Sequence, residues 1–95
     1  MKVVFTAPAL EDLREIRVFV KSHYPGSMKP FEQRLSAVLL RISMWPESAY
    51  QVSERREVRL VALRKYPYKV YYLITDGGVE TLHVHHDKQR PWEDE

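Results

Sequence analysis

The sequence predicts an α+β domain in the order β-α-α-β-β-β, with a helical hairpin packed on one face of a small, mainly antiparallel sheet. Three observations carry that prediction. Val58 to His86 is built of strand-like runs and contains Asp76-Gly77-Gly78, where glycine supplies the positive φ of a tight hairpin. Two segments ahead of it repeat apolar residues every three or four positions, the period of a helix buried along one side. Helices that precede the hairpins, instead of alternating with strands, segregate to one face of the sheet.

Lys2 to Thr6 is short and β-rich, and strand gives way to helix there because Thr6 offers a capping hydroxyl and Pro8 is tolerated in a first turn. Ala9, Leu13, Ile16 and Val20 then recur at helical spacing, with Leu10 and Phe19 widening the stripe. Glu11, Asp12 and Glu15 come early and Arg17 and Lys21 late, the polarity that the helix dipole favours. His23-Tyr24-Pro25-Gly26 ends this helix. Pro30 restarts one, whose apolar positions Phe31, Leu35, Val38, Ile42 and Trp45 have Leu39 beside them. Arg34 and Arg41, two turns apart, share its exposed face and carry no assigned role. Pro46 stops it, and the short link between the two helices makes them antiparallel neighbours.

Glu47 to Glu57 is polar, weakly patterned, and reads as a loop before three strands. Pro67 lacks the amide hydrogen of a ladder and so belongs at the turn between the first two. Alternation assigns Val70, Tyr72, Ile74, Leu82 and Val84 to a buried face. Arg59, Lys69, Tyr71, His83 and His85 fall on the opposite, open face. In the charged tail, Asp87 to Glu95, only Trp92 offers an anchor.

At 95 residues the chain supports a single domain spanning 1–95. It has no cysteine, which excludes disulfides and thiolate metal sites, no apolar run long enough to span a membrane, and no signal-peptide pattern. A cytoplasmic protein without cofactor is expected. Net charge is only +2, but Arg55, Arg56, Arg59, Arg64, Lys65 and Lys69 stand against Glu57 alone between positions 55 and 69. Such a segment either solubilises a sheet edge or binds phosphates or an acidic protein segment. His83-x-His85-His86 places two imidazoles on one side of a strand, yet zinc takes three or four ligands and only Asp87 is close in sequence, so no metal is expected.

Several motifs together resemble the RelE/ParE superfamily of toxins from bacterial type II toxin-antitoxin modules. They are A-x-x-D-L-x-x-I at Ala9 to Ile16, F-x-x-x-L-x-x-x-L at Phe31 to Leu39, Val58-Arg59, P-Y-x-V-Y-Y at Pro67 to Tyr72, and H-x-x-x-R-P at His86 to Pro91. The resemblance is closer to ParE-like members and implies a growth-inhibiting toxin that poisons DNA gyrase and is neutralised by a cognate antitoxin. An acidic C-terminal segment of that antitoxin would meet Arg55, Arg56, Arg59, Arg64 and Lys65. RelE-like members instead cleave mRNA on the ribosome, which needs a proton acceptor, a proton donor and cations for the phosphorane. For that activity the resemblance points to Lys69 and Arg90 (or Lys88) as cations and leaves His83, His85 or His86 to act as acid and base. The late tyrosine of RelE-like tails has no counterpart, since Trp92 cannot exchange a proton. A third alternative is an inert module that only binds the antitoxin.

Overall fold

The computed structural model describes residues 1–87, which form a five-stranded sheet with two helices over one face. The elements are β1 (Val3–Phe5), α1 (Ala7–His23), α2 (Met28–Met44), β2 (Tyr50–Val52), β3 (Arg55–Ala62), β4 (Tyr68–Thr75) and β5 (Gly78–His86). Sheet order is β1-β5-β4-β3-β2, with β1 parallel to β5 and every other pair antiparallel. The expected α+β layering is therefore present, with one strand more than expected. Part of the Glu47 to Glu57 segment, expected as a loop, is β2, which pairs with β3 through Tyr50 and Leu60 and through Gln51 and Arg59. Three residues are too few to show a period, so this strand is set by its partner and not by its own sequence.

Thr6 caps α1 by accepting from the amide of Ala9, at 3.2 Å, and Pro8 lies in the first turn. The buried positions of α1 are Ala9, Leu13, Ile16 and Val20, and those of α2 are Phe31, Leu35, Val38 and Ile42, as the periodicity requires. The stripes are narrower than expected: Leu10 and Phe19 are exposed, and Trp45, at the C-cap of α2, is 59% exposed. The register rotates past the core at that last turn. A 3₁₀ turn at Pro25–Ser27 links the helices, so α2 begins at Met28, ahead of Pro30. The bidentate Arg17–Glu32 pair, with Nη2 to Oε1 at 2.8 Å, ties their exposed sides.

Both helices pack on Val70, Tyr72, Val79 and Val84, and Tyr72 donates its hydroxyl to the carbonyl of Pro46 at 2.6 Å. Burial raises the Tyr72 pKa, so the phenol stays a donor. Two expected facings are corrected. Pairing advances from Tyr71 opposite His83 to Tyr72 opposite Thr81, which leaves Leu82 as the extra residue of a bulge. Thr81 thereby enters the core, and Leu82 packs on the other face with Tyr71, Val58, Val52 and Leu60. Arg59 lies opposite Tyr72 and not on the open face, and its Nη1 donates to the carbonyls of Glu47 and Ala49 at 3.0 and 2.9 Å. It is held by the backbone that leads into β2.

Candidate functional site

The parallel pairing of β1 with β5 ends at Phe5 and Thr81, while β5 continues to His86. Beyond that point, among the described residues, no strand covers the outer edge of β5, and exposed ladder groups must find other partners. The start of α1 supplies them. Thr6 donates its hydroxyl to the Leu82 carbonyl at 3.1 Å, and Asp12 Oδ2 accepts the Val84 amide at 3.0 Å. Side chains of a helix thus stand in for a missing strand.

Asp12 also collects two imidazoles. Its Oδ2 lies 3.1 Å from His83 Nδ1 and 3.4 Å from His85 Nε2, and the two rings are 4.5 Å apart between centroids. Positions 83 and 85 share a face because the bulge lies ahead of them, and Tyr71 and Lys69 are their cross-strand partners. The face expected to be open is partly covered: Tyr71 is 4% exposed and meets the edge of the His85 ring. The His85 side chain is only 16% exposed. Its burial lowers its pKa, and the neighbouring His83 acts in the same direction while Asp12 opposes both.

The pH consequence has a definite sign. A histidine whose folded pKa lies below the unfolded value of about 6.5 binds its proton more readily when unfolded, so acidification through that value removes stability. Above it His85 contributes no pH dependence. Denaturant unfolding in chelator, followed from about pH 7.5 to about pH 5.5, is expected to show a stability loss that shrinks in His85→Gln. Identical pH slopes in the two proteins would remove His85 as its source.

Of the residues expected for RNA cleavage, Lys69, His83 and His85 therefore come together at one end of the β4–β5 ladder, with His86 next along β5 opposite Tyr68. Arg90, with Lys88 and Trp92, lies outside the described residues. The residue missed by sequence reasoning is Asp12, read there as a charge suited to the helix dipole and as the acid of A-x-x-D-L-x-x-I, but not as part of a site. Its signal was available: it borders the buried stripe, between Ala9 and Leu13, where an acid needs a specific partner.

The basic segment divides instead of forming one patch. Arg55 and Arg56 stand at the start of β3, Arg59 is bound internally, and Arg64 and Lys65 form the β3–β4 turn at the far end. Arg64 and Lys65 have φ of 49° and 67°, a conformation that non-glycine residues adopt at a cost. The turn is fixed from outside, because Arg34 Nε donates to the Leu63 carbonyl and Leu63 donates to the Tyr68 carbonyl at 2.9 Å. Arg34, left without a role by the sequence, is thus a structural donor. Lys65 borders a groove of about 660 Å³ whose walls include Phe19, Tyr24, Tyr66 and Tyr68.

Among the described residues no helix is long and apolar enough to cross a membrane. Residues 3–91 match the family described as "ParE toxin of type II toxin-antitoxin system, parDE". No curated protein sequence is significantly similar to the chain. A solved structure titled "Chromosomal ParDE TA system from P. aeruginosa" superposes with a TM-score of 0.76 at 18% identity, over 90% of this chain and 95% of that one. At that identity the likeness is one of fold.

Proposed function

We propose that this chain, which belongs to the ParE toxin family of type II toxin-antitoxin systems, inhibits growth by poisoning DNA gyrase and is neutralised by a cognate antitoxin. Family membership over nearly the whole chain is the observation that carries this reading. The geometry of the histidines supports it. An acid–base pair for RNA cleavage needs two groups that reach a substrate, whereas His85 is largely buried with its Nε2 against Asp12 and its Nδ1 enclosed, which leaves His83 as the one accessible imidazole of the two.

The test is a supercoiling reaction with purified toxin and gyrase, scored for cleaved DNA trapped on the enzyme. Dose-dependent trapping is the expected result. The RelE-like alternative draws on one observation, the pairing of Lys69 with His85 across the strands, which sets a cation beside an imidazole. Cleavage of mRNA on programmed ribosomes, with no trapped gyrase, would establish that reading in its place.

The antitoxin is expected to bring its acidic segment to the β3–β4 turn. There, Arg64 and Lys65 are exposed cations held in a strained conformation beside an aromatic groove suited to an amphipathic segment. Paired substitution Arg64→Glu with Lys65→Glu is expected to weaken binding by about tenfold or more and to flatten its salt dependence. Unchanged affinity and salt slope would move the acidic contact elsewhere, and an antitoxin that binds while neither gyrase nor ribosome-bound mRNA is affected would leave only an inert binding module.

A further inference from the structure

We infer that Asp12, His83 and His85 form a binding site for a divalent transition-metal ion of the zinc class. Their ligand atoms, one carboxylate oxygen and two imidazole nitrogens, lie within 4.8 Å of one another. Two of the three edges, 3.1 Å from Asp12 Oδ2 to His83 Nδ1 and 3.4 Å to His85 Nε2, bracket the roughly 3.3 Å edge of a tetrahedron with bonds of about 2.0–2.1 Å, and the third, between the imidazole nitrogens, lies within 4.8 Å. Two histidines and one carboxylate are a donor set that zinc, cobalt and nickel accept. The expectation that these histidines bind no metal counted ligands along the sequence; the third donor comes from α1.

A second observation points to a cation. Three nitrogens converge on the single oxygen Oδ2, because Val84 N lies 3.0 Å from it in addition to the two imidazoles. One carboxylate oxygen has two lone pairs, so an amide and two imidazole N–H groups cannot all be accommodated well. An imidazole that turns its lone pair to Oδ2 instead meets a negative oxygen. A cation among the three atoms replaces that repulsion with three ligand bonds, and the Val84 amide then orients the carboxylate as an outer partner. A cleft of about 180 Å³ lined by Asp12, Glu15, His85 and His86 adjoins the cluster and gives water a path to it. Among the described residues the buried His85 Nδ1 has no hydrogen-bond partner. A ligand without such outer support holds its ion roughly 10–100-fold more weakly than a supported one. The ion cross-links α1 to the half of β5 that β1 leaves unpaired.

Titration of the untagged chain with Co²⁺ and Zn²⁺ at neutral pH tests this. One equivalent of Co²⁺ is expected to give the intense visible absorption of a low-symmetry, four-coordinate ion, and Zn²⁺ is expected to raise the Tm. His83→Ala is expected to weaken binding by at least about tenfold, as is Asp12→Asn, while His23→Ala, at the far end of α1, leaves it unchanged. His83 is the safer variant because its side chain is 32% exposed and its loss opens no core cavity. Binding retained in His83→Ala, equal loss in His23→Ala, or a Tm that does not respond to Zn²⁺ would each overturn the site.

Discussion

Phe31→Ala is expected to cost about 3–5 kcal/mol, the range for truncating a buried phenylalanine. Phe31 is fully buried at the first full turn of α2, and its ring meets the edges of Tyr66 and Tyr68 at centroid distances of 5.6 and 6.2 Å. Those tyrosines flank Pro67 at the start of β4, so the side chain joins the helix layer to the β3–β4 turn. Removing it deletes apolar burial and two aromatic edges together, and the rigid turn, with its two left-handed residues, relaxes poorly into the void. Set against the roughly 5–15 kcal/mol of a typical domain, the loss leaves a marginal protein. Chemical denaturation measures it directly. A change below about 1 kcal/mol would mean that the cavity collapses, and that the aromatic contact does not hold the turn.

Gly78→Ala is expected to be comparably damaging, for a backbone reason. Gly78 has φ of +147°, and a Cβ placed on it would lie 2.3 Å from the carbonyl oxygen of Lys2. That carbonyl accepts the Val79 amide at 2.7 Å, where β1 begins its parallel pairing with β5. The methyl therefore pushes β1 off the sheet while forcing an unfavourable φ, at an expected cost of about 3 kcal/mol or more. Gly77→Ala is the control, because nothing among the described residues lies within 4 Å of its Cβ position. Equal losses in the two variants would show that the turn, and not the close approach of β1, is the sensitive feature.

The sequence determined everything that depends on local period and punctuation. Ala9, Leu13, Ile16 and Val20, and then Phe31, Leu35, Val38 and Ile42, repeat at helical spacing because each helix has one dry side, and both stripes are buried where expected. Thr6 and Pro8 mark a helix start through the hydrogen bonds of a first turn, which concern only adjacent residues. The turn at Asp76-Gly77-Gly78 was legible for the same reason, although the positive φ falls at Gly78 alone among its glycines.

Tertiary structure decided what depends on pairing between distant segments. The bulge at Leu82 reverses the facing of one residue, and it exists because two strands must share a register that neither specifies alone. Arg59 keeps the same alternation in the chain whether it points to solvent or to the carbonyls of Glu47 and Ala49, and only the position of β2 distinguishes these. The site follows the same division. His83 and His85 announce themselves by spacing, but Asp12 reaches them across 71 residues of sequence. It does so because β1 is short, and α1 must occupy the edge of β5 that β1 leaves open.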